Sequence, residues 1–477
     1  MYQSAIFGVA FFAVVGILVA FRKRGDAAFL LFMKALVLFF CAVGFFRFML
    51  SDSFIYVIND AYLNGVHYDA TDPLQTFLRW GYYLNYAVLP MAVFFDSRLF
   101  KNIALLFCLP MSILSVVYFH DFMRYFLEPI TGRGLMLAPW FRYSYFVLEL
   151  VLALIIPLVL CIRTRHFIRL ADGSERARFL IALPSIFLLM MPVYVPQSLF
   201  GYTALSAKIG SLYHFAWIGI LLLVTLSLYY IFRFRSERER YMLCIFLTIV
   251  LFFHYDSLYL MGFSIKRLPI QLCNLASYFY MIAIPFRLRR MFNFCFIANL
   301  VGTLIAILLP DFMPGAMGFW NMHFILEHSL VLMIPALVMG LRIFPRIDRR
   351  ALLHTAVGFN LYFAFCFTLG LVFNAYVSKD GTVINYFFIF DIDKAIDYFS
   401  FLRILENVSF TVNGFAVYPI LIGIIYVVFS LSCFLFYFLI KYLYTVEDDH
   451  LALREASIDL YERITSKKSR RPHNFCD

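Results

Sequence analysis

Charge is what this chain has least of. Asp, Glu, Lys and Arg make up 14% of its 477 residues, against 63% hydrophobic, where an ordinary soluble domain carries about 25% charged residues. Polar linkers are missing too, although a soluble chain of this length needs them between domains. No two cysteines form a CxxC pair. Cys41, Cys108, Cys161, Cys244, Cys273, Cys295, Cys366 and Cys433 all fall in apolar segments, and Cys476 lies in the tail. That excludes a disulfide framework and reads most of them as small core hydrophobes. Short alternating segments of the kind that build a membrane β-barrel are also absent. A soluble enzyme and a disordered chain are excluded with them. What is there in abundance is apolar runs of about 20 residues, the length a helix needs to cross hydrocarbon. The fold class is therefore all-α, a polytopic membrane protein.

The runs predict thirteen spans, at about 4–21, 28–50, 75–97, 102–119, 142–163, 178–199, 214–234, 241–258, 269–287, 292–309, 322–343, 351–374 and 415–441. The first is not read as a cleaved signal, because Arg22, Lys23 and Arg24 follow it and no basic stretch precedes it. The net charge of +11 does not imply nucleic acid, since Lys and Arg collect in alternate short loops, such as 98–101, 163–178, 233–240, 287–290 and 346–350. The intervening loops hold more Asp. The positive-inside rule then expects the N-terminus outside and the C-terminus in the cytoplasm. The tail from Thr445 reads as a short cytosolic helix with a basic end, Lys467 to Arg471, suited to anionic lipid.

Two pairs of segments suggest a duplication. Phe146–Leu158 (FVLELVLALIIPL) matches Phe324–Ala336 (FILEHSLVLMIPA) without a gap. Pro73–Pro90 (PLQTFLRWGYYLNYAVLP) parallels Pro269–Pro285 (PIQLCNLASYFYMIAIP), and Asp52-Ser53 parallels Asp256-Ser257. The expected layout is two parallel six-helix repeats plus one extra N-terminal helix. Its boundaries are 1–27 for the first helix and loop, 28–240 for a degenerate first repeat, 241–444 for the second, and 445–477 for the tail. Glu149 aligns with Glu327, which suggests inter-span pairing. Phe77 aligns with Cys273 and Leu150 with His328, so only the second half holds a reactive pair.

Polar groups inside spans are expensive and are functional hypotheses by default. Cys273 lies roughly 6 Å and His328 roughly 9 Å inside the outer ends of spans nine and eleven, at 1.5 Å per residue. Asp256 is at the outer end of span eight, with His254, Glu327 and Gln271 near the same level; His323 reads as solvated at the interface. An imidazole can deprotonate a thiol, and a carboxylate can orient the imidazole. A thiol at this depth meets phospholipid ester carbonyls. The expected chemistry is acyl transfer through a thioester on Cys273, with His328 as base and acid and Asp256 behind it. Gln271, Asn274 or a backbone N–H serves as oxyanion donor. Asn385 and Tyr386 belong to the outer segment 375–414, which could cover this site. These candidates have no sequential metal-ligand spacing, so no metal and no cofactor is expected.

Leu268-Pro269-Ile270-Gln271-Leu272-Cys273 resembles the LPxxxC element of YwaF-like bacterial integral membrane proteins, which are related to the transmembrane-protein-164 acyltransferases of animals. The His328 span and Asn385-Tyr386 also look like that family. The resemblance covers roughly 240–440. It implies a seven-span unit with Cys273 and His328 as the acyl-transfer pair, and it departs from the family in carrying an additional amino-terminal half. It implies a bacterial plasma membrane as the location. The expected partners are membrane phospholipids and a lipid or lipid-linked acyl acceptor. A lipid thioesterase, a transporter or flippase, a polyprenyl-linked glycosyltransferase and a non-catalytic subunit of a membrane assembly are the competing readings. Transport is disfavoured because the polar cluster lies near one face, whereas transporter sites lie near the midplane; the glycosyltransferase is disfavoured by modest outer loops.

Overall fold

The computed structural model describes residues 1–50, 78, 81–120, 138–168, 172–190, 207–252, 268–312, 315–378 and 383–469. The backbone is helical almost throughout, as apolar runs in lipid require, because a helix satisfies its own N–H and C=O groups. The first half holds α1 (Tyr2–Ala20), α2 (Asp26–Leu50), α3 (Asn85–Phe95), α4 (Arg98–Val117, with a π turn at Ala104–Cys108), α5 (Pro139–Arg163) and α6 (Gly173–Met190). The second holds α7 (Leu212–Phe232), α8 (Glu237–Val250), α9 (Leu272–Ala283), α10 (Arg289–Leu308), α11 (Phe319–Gly340) and α12 (Arg349–Val377, ending in a π turn). A short helix α13 (Ile392–Tyr398) and a hairpin follow, then α14 (Pro419–Ser469). Over its described residues each expected span overlaps a helix. Nine of them, among the described residues, are long and apolar enough to cross a membrane; α3, α6, α8 and α9 are shorter or more polar.

Local sequence explains the ends. Ser236 and Glu239 form a reciprocal capping box at α8, Asp348 accepts from Ala351 N at 3.1 Å to start α12, and Ser211 caps α7. These side chains satisfy backbone donors that the first helical turn leaves open. The hairpin β1 (Phe410–Val412) to β2 (Phe415–Val417) turns through Asn413 and Gly414, both at positive φ, which a two-residue turn of this hand requires. Close approach is bought by small residues: a Cβ on Gly44 would strike the Tyr86 ring, and one on Gly358 would strike Phe294.

The packing partners repeat six helices apart. The pairs α1–α5, α2–α5, α2–α3, α3–α4, α4–α5, α3–α5 and α4–α6 recur as α7–α11, α8–α11, α8–α9, α9–α10, α10–α11, α9–α11 and α10–α12. The central helices α5 and α11 are each 72% buried over their apolar window, and each contains a proline, Pro157 and Pro335. Side chains echo one another too. Gln3 on α1 donates to the Val117 carbonyl at 2.8 Å, and His214 on α7 faces the Ile307 carbonyl at 2.7 Å. The extra N-terminal helix expected outside the repeat therefore sits inside this pattern, with α1 in the place that α7 occupies. The sequence carries the signal once the frame is set: Tyr2, Ala5, Gly8, Phe21, Arg22 and Arg24 coincide without a gap with Tyr213, Ala216, Gly219, Phe232, Arg233 and Arg235. The halves meet where α3 packs on α8. There Phe95 and Tyr241 lie edge to face at 5.4 Å, and Arg238 donates to the Phe95 carbonyl.

Candidate functional site

Cys273 is the second residue of α9, directly after the N-cap Gln271 and Leu272. The first backbone N–H groups of a helix have no intrahelical acceptor and carry the positive end of its dipole, so this position suits an adjacent oxyanion. Seven of the eight described cysteines are buried; Cys273 alone among them is partly exposed. Its Sγ lies 3.9 Å from Thr303 Oγ1 on α10. Tyr362 donates to the Ile270 carbonyl at 3.0 Å and so fixes the chain entering α9.

Span nine was expected over 269–287, but α9 covers only Leu272–Ala283. Leu268–Gln271 stay non-helical, and the far end is closed by a left-handed Arg287 at φ 55°. The short helix is what brings a helix N-terminus to Cys273 instead of leaving the thiol on a helix side.

Two backbone markers lie at equal spacing beyond Cys273 and His328. Cys273 precedes Arg287, and His328 precedes Arg342, by the same fourteen residues, about 21 Å along a helix. Arg342 closes α11 in the left-handed conformation at φ 57°, as Arg287 closes α9. Arg287 Nη1 donates to the Ile343 carbonyl at 3.1 Å, which ties the two ends together. Further up, the Tyr280 hydroxyl lies 3.5 Å from the Val331 carbonyl. The helices are in contact, and both run toward the end where Arg287 meets Ile343.

The state of the ring follows from its neighbour. His328 Nδ1 lies 2.7 Å from the Phe324 carbonyl oxygen. A carbonyl only accepts, so Nδ1 carries the hydrogen in the neutral ring and Nε2 holds the lone pair of a base. Asp256, expected to orient the ring, and His254 lie outside the described residues; within them the Phe324 carbonyl does the orienting, and the Phe324 ring packs on the imidazole at 4.2 Å between centroids. His323, expected to be solvated, is instead buried, with its Nε2 3.5 Å from Glu327 Oε2. Glu327 therefore pairs along its own helix, whereas Glu149 in the first half takes the Tyr86 hydroxyl of another helix.

Asn274 is 3% exposed, and its Nδ2 has no acceptor among the described residues. A buried donor without a partner is uncommon, and this one is next to the thiol. Gln271 makes no side-chain cap to α9. Asn385 and Tyr386 serve differently. Asn385 Oδ1 accepts from Phe390 N at 3.1 Å, Asn374 clamps both polar groups of Ile384, and Tyr386 is buried. That segment folds back so that Phe387 packs on Tyr362 at 5.5 Å, supporting the wall behind Cys273. Thr303 and Tyr362 had no distinguishing sequence signal, because a lone hydroxyl in an apolar helix marks nothing until the neighbouring helix is placed.

Residues 209–441 match the TMEM164 family. The match begins one helix earlier than the 240 expected from the Leu268–Cys273 element and runs from α7 through most of the apolar part of α14. The matched residues take in α7–α12, α13 and most of the apolar part of α14, and α1–α6 lie outside them. No curated protein and no solved structure matches the chain.

Proposed function

We propose, with the TMEM164 match over residues 209–441 as the premise, that the protein is a multi-pass membrane enzyme that transfers acyl groups between lipids through Cys273. The observation that carries this reading is the position of Cys273. It is the one partly exposed cysteine among those described and the second residue of a helix, and its spacing of fourteen residues from Arg287, equal to that of His328 from Arg342, supports pairing it with His328. His328 Nε2 takes the thiol proton, and Sγ attacks a phospholipid ester carbonyl. The N-terminal amides of α9 and the Asn274 carboxamide receive the oxyanion. The ester C–O bond breaks, the lysolipid alkoxide takes the proton back from His328, and a thioester remains. An acceptor hydroxyl then gives its proton to Nε2, attacks the thioester carbonyl and releases the thiolate, which regains that proton. With water as acceptor the same steps give hydrolysis.

On this reading the first half is a packing partner that holds the second through α3 and α8, since in the sequence Phe77 and Leu150 align with the reactive pair. On the same reading Cys273 faces the outer leaflet of a bacterial plasma membrane and the C-terminus lies in the cytoplasm; the alternation of basic loops supports that orientation. The test is reconstitution of the full chain with phospholipid labelled in one acyl chain. Labelled product lipid or free acid, together with lysolipid, is expected from the wild type and absent in Cys273→Ala. Turnover undiminished in Cys273→Ala overturns the proposal.

A further inference from the structure

A second polar site lies about 20 Å from Cys273, at the other ends of α9 and α11. It is an open cavity of about 650 Å³ lined by Glu237, Arg240, Arg287, Arg342, Ile343, Phe344, Pro345, Arg346 and Asp448. Four arginines face two carboxylates there. Arg287 pairs with Glu237 at 2.9 Å, and Arg342 and Arg346 share Asp448 at 2.8 and 2.9 Å. Glu447 adds one further carboxylate at Arg346, which still leaves positive charge in excess. Arg240 has a different setting: it donates to the Leu341 carbonyl, and its buried Nε has no partner among the described residues.

The guanidinium groups are held in place. Arg240, Arg287 and Arg346 each give one N–H to a carbonyl of Leu341, Ile343 or Met339. Capping the C-terminus of α11 accounts for those bonds. It does not account for four cations gathered around an open, partly apolar cavity, where like charges repel unless an anion is shared. Guanidinium forks match phosphate oxygens with paired N–H donors. The apolar wall of Ile343, Phe344 and Pro345 suits the carbon portion of a phosphate ester.

We propose that this cavity binds a phosphate-bearing group, from a lipid headgroup or from a soluble phosphate, with Asp448 as the internal competitor for Arg342 and Arg346. The proposal is independent of the acyl-transfer reading, because none of these residues belongs to that site.

The experiment uses the full chain in nanodiscs and reads the thermal unfolding midpoint against three additions. These are phosphatidylcholine alone, phosphatidylcholine with phosphatidic acid, and phosphatidylcholine with inorganic pyrophosphate. A dose-dependent rise with phosphatidic acid only identifies a lipid headgroup; a rise with pyrophosphate identifies a free phosphate. Arg240→Gln, which removes no acid pair recorded in the structure, should weaken the apparent affinity about tenfold, the scale of a charge-assisted bond. Asp448→Asn, which releases Arg342 and leaves Arg346 with Glu447 alone, should strengthen it. Arg22→Gln, in a basic loop of the first half, should leave it unchanged. No response to either probe in the wild type overturns the proposal, as does an Arg240→Gln protein that responds like the wild type.

Discussion

His328 Nδ1 stands 2.7 Å from the carbonyl oxygen of Phe324, one helical turn earlier. The contact spends one ring nitrogen on the backbone and leaves a lone pair on the other, which the proposed mechanism uses as the base. His328→Asn keeps a polar side chain but removes that base. The rate of acyl transfer should fall by about 10² or more, the usual contribution of a positioned acid–base group, while the thermal midpoint changes little. A loss of folding together with activity would instead mark His328 as a packing residue.

Asn274 offers the opposite combination. Its carboxamide is buried with an unused donor, and such a group costs roughly 1–3 kcal/mol of stability. Asn274→Ala should therefore leave the protein as stable as before or more so. If the carboxamide receives the oxyanion, kcat drops by about 10² to 10³ with KM nearly unchanged. Unchanged kcat in that variant removes Asn274 from the mechanism.

His214 is a structural histidine. Gly210 N donates to its Nδ1 at 3.1 Å, so Nε2 carries the hydrogen toward Ile307 O. Replacing it by Ala should cost roughly 1–3 kcal/mol by leaving buried partners unmet. His214→Gln should recover part of this in thermal unfolding, because Gln3 makes the matching bond in the first half.

Beyond its apolar stretch, α14 is fastened by Asp448 to Arg346 and Arg342. Burial works to raise the Asp448 carboxyl, but its hydrogen bond with Arg346 and the two guanidinium charges outweigh that and hold it below its ordinary 3.8. A lowered folded-state value means that the fastening is fully present above that ordinary value and lost as pH falls through the lower one. Amide exchange over residues 441–452 should therefore be flat between pH 5 and 8, after correction for the intrinsic exchange rate, and faster in Asp448→Asn. The difference between the two proteins should close toward pH 3. Since Asp448 is partly exposed, the effect is modest, roughly 0.2–1 kcal/mol.

Much of this was legible in the chain before any coordinates. Hydropathy located the nine described helices that are long and apolar enough to cross a membrane, because membrane helices must be apolar along their length whatever they pack against. The correspondence of Phe146–Leu158 with Phe324–Ala336 pointed to α5 and α11, the two central helices. Three things depended on contacts instead. The ends of α9 moved inward because Pro285 and the left-handed Arg287 stop the helix early. The place of α1 was hidden because its match to α7 is carried by scattered residues, Tyr2 and Arg22 among them, in an otherwise generic apolar run. Thr303 and the pairing of His323 with Glu327 depend on which helix faces sideways, which periodicity alone does not fix in segments apolar all round.

The most direct measurement is mass spectrometry of the intact, full-length protein after incubation with phospholipid, with and without neutral hydroxylamine. The account predicts a mass increase of one acyl chain on Cys273, released by hydroxylamine, absent in Cys273→Ala and retained in Cys433→Ala. An acyl adduct that persists in Cys273→Ala, or none on a protein that turns over lipid, would contradict it.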